Sequence, residues 1–240
     1  ISDAYELFVP IDIEAYYSLL PEERNAKQSF NLDLIPKVLS KAELFTKEEM
    51  KSLNALTDKY TKNIAPLSNS EYKKELEILA IDLSWKSGEI EGNTYTLLET
   101  EILIKYKELA EGKKQDDAIM LLNHKDALDF IIAEPDYLKP LTISRIEDIH
   151  SLLIKNLGVE RNIRRRGVGV GGTEYKPLSV EQQIVEAMQQ MCELVNATDN
   201  VFEKALLLLV LLSYIQPFND GNKRTARIIS NAILMENSYC

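Results

Sequence analysis

Between Gln216 and Arg227 the chain reads Gln-Pro-Phe-Asn-Asp-Gly-Asn-Lys-Arg-Thr-Ala-Arg. This run gathers the residue types that a polyphosphate and its magnesium ion require. Asp220 is an oxygen ligand suited to Mg²⁺, and Gly221 lets the backbone approach closely. Lys223, Arg224 and Arg227 add cations, the two arginines three apart on one helical face. Taken singly, each arginine is an ordinary surface helix residue and Asp220 an ordinary turn residue. Their convergence on one helix start is what points to a magnesium-polyphosphate site, because unpaired backbone N–H groups and the positive dipole end attract anions there. It is not a Walker A loop, since the paired glycines of GxxxxGK[ST] are missing and the run follows a helix instead of a strand.

Two elements must position this loop. Ala205 to Leu212 is apolar on every side, the pattern of a helix buried all round at the centre of a bundle. Pro217 disfavours helical geometry at Gln216, so that helix ends abruptly and delivers a tight polar loop into the next one. The rest of the chain has the same helical period, and the fold class is all-α. Further helices are expected over Asp12 to Leu20, Leu34 to Ala42, Lys47 to Lys62, Glu71 to Ser87, Thr96 to Ala110, Asp116 to Ala133, Ser144 to Asn156, Val180 to Asn196, Val201 to Ile215 and Lys223 to Glu236. The stretch Asn63 to Ser70 reads as a hinge, and the chain divides into an amino-terminal helical segment, 1–75, and a core, 76–240.

One segment breaks the helical pattern. Gly167 to Pro177 places small and β-branched residues either side of Gly171-Gly172, which predicts a short β-hairpin. So little core material suits a surface flap whose edge pairs with an extended peptide. The arginines just before it, Arg161, Arg164, Arg165 and Arg166, read as a solvated loop that partly offsets an acidic total. The two histidines, His124 and His150, fall in predicted helices far in sequence from the loop and read as structural.

The 240 residues carry 28 Lys+Arg against 38 Asp+Glu, a net charge of −10, which argues against nonspecific binding to nucleic acid or anionic membranes. Two cysteines, Cys192 and Cys240, make no disulfide framework and suit the cytoplasm. No apolar run approaches the ~20 residues that span a bilayer. The chain opens on Ile and stops inside helical sequence, so trimming at both ends is expected.

At Gln216 to Arg227 the sequence resembles the Fic (filamentation-induced-by-cAMP) domain family, whose signature is HPFx[DE]GNGRxxR. Pro217, Phe218, Asp220, Gly221, Asn222, Arg224 and Arg227 match, while Gln216 and Lys223 depart. Upstream, the run Ser87-Gly-Glu-Ile-Glu-Gly-Asn93 is similar to the family's inhibitory motif [ST]xxxE[GN]. The resemblance implies a Fic-type helical bundle with a hairpin flap, and ATP with Mg²⁺ as ligands. It implies AMP transfer from ATP to a hydroxyl of a target protein. By position, Asp220 holds the metal, and Gly221, Asn222, Lys223, Arg224 and Arg227 bind the nucleotide. Ser87, Glu91 and Asn93 form the inhibitory set, with Glu91 pairing Arg227 to keep ATP from binding productively. Val168, Gly169, Val170, Thr173 and Tyr175 make the target-docking flap.

The family's general base is a histidine, and Gln216 stands in its place. An amide hydrogen-bonds a hydroxyl but takes no proton, and losing a general base typically costs about 10²–10⁴ in rate. Lys223 in place of glycine gives the GNKR string also found in Doc-type relatives that phosphorylate proteins, whereas Arg227 is the arginine such relatives usually lack. Three readings therefore stand: a self-inhibited Fic protein with weak or lost AMP transfer, an inactive nucleotide-sensing or protein-binding module, and a Doc-like phosphotransferase. The target protein is unknown, and a homodimer is left open.

Overall fold

The structure, a computed structural model, describes residues 18–20, 23, 28–171, 173–237 and 239. The helix expected over Asp12 to Leu20 lies almost wholly outside them. The described helices are α1 (Lys47–Ile64), α2 (Asn69–Ile90), α3 (Leu97–Tyr106), α4 (Gln115–Ala133), α5 (Ile143–Leu153), α6 (Glu181–Ala197), α7 (Val201–Ile215) and α8 (Asn222–Glu236). Three of them start on a Ser/Thr-x-x-Glu capping box, at Thr46 and Glu49, Ser68 and Glu71, and Thr96 and Glu99. In each box two otherwise unpaired backbone N–H groups are satisfied reciprocally, which fixes where the helix begins. The helix expected over Leu34 to Ala42 is instead a π-helical turn, Leu34–Val38, running into a 3₁₀ turn, Leu39–Lys41. The Leu39 N–H reaches back five residues to the Leu34 carbonyl, which makes the turn π-helical instead of α-helical.

Helices α7 and α8 pack along each other at the centre. Leu208, Leu211, Leu212 and Ile215 of α7 share one buried cluster with Ile228 and Ile229 of α8, Met188 and Met191 of α6, Ile146 and Ile149 of α5, and Leu128 of α4. The expectation that α7 is buried all round is corrected here: Leu209 is 37% and Val210 52% exposed. Neighbouring helices cover the face of α7 that carries its other leucines, and these two adjacent residues project on the remaining side. A smaller cluster, Tyr95, Leu103, Ala118 and Leu121, ties α3 and the turn before it to α4.

The break between α1 and α2 falls within the expected hinge, and α2 then runs unbroken through residue 76. Where α2 crosses α4, a Cβ on Gly88 would lie 2.9 Å from Leu121 Cδ2 and 3.3 Å from Asn93 Cβ, so a larger residue there forces the Leu121 side chain or the turn at Asn93 to shift.

Among the described residues the expected hairpin is not formed. Around Gly171 the chain turns, with the Thr173 N–H bonded to the Val170 carbonyl at 3.2 Å, but no ladder follows. Glycines at 167, 169 and 171 offer no cross-strand side-chain pairs to hold one. The pairing found here is a single parallel bridge between Ser29 and Lys176.

Candidate functional site

Gln216 caps α7 in the left-handed conformation, φ 53° and ψ 58°, and turns the chain out of the core. Its side chain is held at both ends: Nε2 donates to the Ser213 carbonyl at 2.6 Å, and Oε1 accepts from Asn222 Nδ2 at 3.0 Å. Asn222 staples the loop from the other side. Its Oδ1 accepts the Phe218 N–H at 2.8 Å and its Nδ2 donates to the Phe218 carbonyl at 2.9 Å. With its side chain so engaged, Asn222 has its backbone to offer a ligand. Phe218 is fully buried and stacks on His150, ring centroids 3.7 Å apart and planes 5° from parallel.

Gly221 precedes the first turn of α8 with φ 81°, and a Cβ there would meet Ile154 at 3.3 Å and the His150 ring at 3.4 Å. Both the positive φ and the crowding demand glycine. The Asp220 carbonyl accepts from His150 Nε2 at 2.9 Å, while Nδ1 of the same ring faces the Arg161 carbonyl at 3.2 Å. A neutral imidazole donates to only one of them. Burial pushes the His150 pKa down, and the two carbonyls push back.

Arg224 is buried, and its NH2 donates to Asp220 Oδ2 at 2.8 Å, but its NH1 has no hydrogen-bond partner among the described residues. A buried guanidinium with a spare donor fits an anion at this helix start. The Asp220 side chain is 62% exposed and leaves oxygen facing solvent. Among the described residues no group of three or more His, Cys, Asp or Glu side chains could hold a metal, so a magnesium ion on Asp220 would take its remaining ligands from phosphate and water. Lys223 is exposed beside them.

One turn along α8, Arg227 is gripped by the end of α2. Its Nε donates to Ser87 Oγ at 2.9 Å, and its NH2 donates to Glu91 Oε1 at 2.6 Å and to the Ser87 carbonyl at 3.4 Å. Ser87 and Glu91, four apart, thus share the helical face that the sequence predicts. Asn93 reaches neither arginine. Its Nδ2 donates to the Asp117 carbonyl at 2.8 Å and its Oδ1 accepts the Tyr95 N–H at 3.0 Å, which pins the turn carrying Glu91 to α4.

The arginine run corrects the reading of it as a solvated loop. Arg164 is 1% exposed, and it donates to the Gln216 carbonyl at 2.6 Å, the Arg166 carbonyl at 2.8 Å and the Leu178 carbonyl. Its backbone N–H also donates to the Pro217 carbonyl at 2.9 Å. It is a brace between the flap and the Gln216-Pro217 turn, and composition gives no sign of which arginine plays that part. Arg161 pairs with Asp148 and Arg165 with Glu181. Of the flap residues, Tyr175 alone locks onto α7, its OH donating to the Tyr214 carbonyl at 2.8 Å and its ring stacking on Tyr214. Gly169 and Thr173 are exposed and Val168 and Val170 half-buried.

The sequence profile of the Fic/DOC family matches residues 140–234, which takes in the whole run from Gln216 to Arg227. A protein adenylyltransferase Fic from Nematostella vectensis is 27% identical over 179 residues, 72% of this chain and 42% of that protein. The one from Drosophila melanogaster is 30% identical over 156 residues, 62% of this chain and 31% of that protein. The chain therefore spans less than half the length of the curated relatives it matches. In fold it is similar to a Fic-domain-containing signaling protein from Bacteroides thetaiotaomicron, with TM-score 0.65, 23% identity, and 78% and 72% of the two chains covered. It is also similar to Fic-1 from C. elegans, with TM-score 0.66, 21% identity, and 80% and 57% covered. The loop, its helix start and the matched span together identify residues 140–234 of this chain as a Fic/DOC family domain.

Proposed function

We propose that this chain binds Mg·ATP at the start of α8, that Glu91 holds the site in a self-inhibited state, and that AMP transfer to target hydroxyls is weak or lost because Gln216 stands where a base is needed. The relatives it resembles are named protein adenylyltransferases, and an adenylyl group to transfer supports the choice of an adenine nucleotide. The Arg227 clamp is the observation that carries the reading. A phosphate-gripping guanidinium on α8 is occupied by a carboxylate from α2, 136 residues away in sequence. Such a pair competes with a nucleotide, so removing the carboxylate raises affinity instead of lowering it.

In this reading the backbone N–H groups of the first turn of α8 and the spare NH1 of Arg224 receive phosphate oxygens. Asp220 would hold the magnesium ion, which when bound neutralises phosphate charge. Arg227 joins once Glu91 lets go. Gln216 orients a hydroxyl by hydrogen bonding but cannot accept its proton. Residues 168–175 serve as the flap that aligns a target segment by strand pairing, supported by the bridge that the adjoining Lys176 already makes. A cytoplasmic location belongs to this reading and is supported by two cysteines, too few for a disulfide framework.

Calorimetric titration with Mg·ATP tests the nucleotide site. Tighter binding by Glu91→Gly than by the parent chain is expected, and no binding by either removes the proposal. ATP labelled at the α- or γ-phosphate then separates the chemistries. Transfer of γ-label would favour phosphotransfer, for which exposed Lys223 is the supporting feature.

A further inference from the structure

The backbone edge next to the flap is not empty: the chain's own residues 28–31 lie along it. The Lys176 N–H donates to the Gln28 carbonyl at 2.7 Å, Ser29 and Lys176 form the parallel bridge, and Gln28 Nε2 donates to the Glu174 carboxylate. The next residue supplies a side-chain anchor. Phe30 stacks on Tyr214, centroids 4.8 Å apart and planes 22° from parallel, and Tyr214 stacks in turn with Tyr175 of the flap at 4.9 Å. The Tyr214 OH accepts the Asn31 N–H at 2.8 Å. Tyr214 sits in the last turn of α7, two residues before Gln216. One short segment is therefore read by the flap backbone, through a single bridge, and by the helix that ends at the site, through an aromatic ring. That is the division of labour of strand-addition peptide recognition, in which main-chain bonds hold and alternate side chains select.

We propose that residues 174–176 and Tyr214 form a peptide-docking edge specific for an extended segment whose aromatic side chain follows the bridged residue, and that Gln28 to Asn31 fills this edge in cis as a built-in competitor. The proposal rests on the reading of the flap as the target-aligning element. It adds what the edge selects and what occupies it. Gln28 and Ser29 are exposed and the bridge is single, so the grip is displaceable. A tethered segment still competes at an effective concentration that a free peptide must exceed. A target thus gains the edge either by carrying a better aromatic anchor or after the 28–31 segment is drawn away.

The test uses the full chain and a fluorescent, end-blocked peptide of sequence Gln-Ser-Phe-Asn-Leu-Asp, which reproduces residues 28–33. Phe30→Ala is expected to bind this peptide at least about tenfold tighter than the parent chain. A peptide with Ala in place of Phe is expected not to bind. Hydrogen exchange is read in parallel: the Lys176 amide becomes faster in the variant while the amides of α7 keep their protection. If Phe30→Ala disturbs α7, Phe30→Leu keeps apolar volume against the core while losing the ring stack, and the same two readouts apply. Equal peptide affinity of parent and variant, equal binding of the Phe and Ala peptides, or an unchanged Lys176 amide overturns the proposal. Mg·ATP titration of the Glu91→Gly chain with and without Phe30→Leu separates the two readings. Peptide selectivity without nucleotide binding defeats only the nucleotide site, and nucleotide binding without peptide selectivity defeats only the docking edge.

Discussion

Gln216 is both a chemical deficiency and a structural part. Its amide closes a circuit from the Ser213 carbonyl through Oε1 to Asn222, and its left-handed backbone makes the exit from α7. Gln216→His supplies a group able to accept a proton where the amide cannot, a change worth about 10²–10⁴ in rate. Glu91→Gly acts on a different quantity, the availability of Arg227. Self-labelling with α-labelled ATP is therefore expected from the double variant, with little from either single one. Equal labelling by the parent and the double variant would mean that Gln216 is no limit. Gly221 gives a second prediction at this scale. Its φ of 81° strains any side chain and the 3.3 Å approach to Ile154 is tight for a methyl group, so Gly221→Ala should cost about 1–3 kcal/mol in urea unfolding and weaken Mg·ATP binding.

The helices themselves were legible because their signals are local. Pro217 marks the end of α7, and that helix, Val201–Ile215, has the bounds expected of it. Ser87 and Glu91 were legible through the resemblance to the inhibitory motif, and their four-residue spacing gives them a shared helical face. What could not be read is what tertiary packing decides. His150 lies far from the loop in sequence yet stacks on Phe218, and Arg164 looks like its arginine neighbours until the fold buries it. The turn at residues 34–41 departs from a regular helix, and the flap departs from a ladder, where local pattern was too weak to insist. Arg164 also carries a prediction at this scale. Among the described residues its guanidinium donates to the backbone carbonyls of Gln216, Arg166 and Leu178, and so joins the flap base to the exit of α7. Arg164→Ala leaves those carbonyls buried without a donor, and a loss on the order of 3 kcal/mol or more is expected. Arg164→Lys, with one compact ammonium in place of a planar fork, should recover only part of it. Recovery in full would mean that charge, not the fork, is what the brace supplies.

On the scale of the whole molecule, acid should weaken the fold through a buried histidine that several helices enclose. His124 of α4 is 3% exposed, and its Nδ1 lies 3.2 Å from Ser84 Oγ of α2. The Ser84 hydroxyl already donates to the Ala80 carbonyl at 2.7 Å, so it accepts the Nδ1–H, and Nε2 is left without a proton or a partner among the described residues. Burial first, then the cations Arg227 and Arg224, push the His124 pKa down to about 3. The unfolded chain, with an ordinary histidine pKa near 6.5, binds a proton that the folded chain refuses. Stability is therefore full above about pH 6.5 and falls as pH drops from there toward 3, by up to about 1.4 kcal/mol per pH unit from this one group. The His150 pKa is pushed down as well, by burial first, and adds to the loss below about pH 6.5. Urea midpoints followed from pH 7.5 to 4 should fall in step. His124→Asn retains an N–H for Ser84 but cannot titrate, so it should remove a large share of the slope even if it lowers stability at pH 7.5. An unchanged slope in that variant would assign the acid sensitivity to other groups.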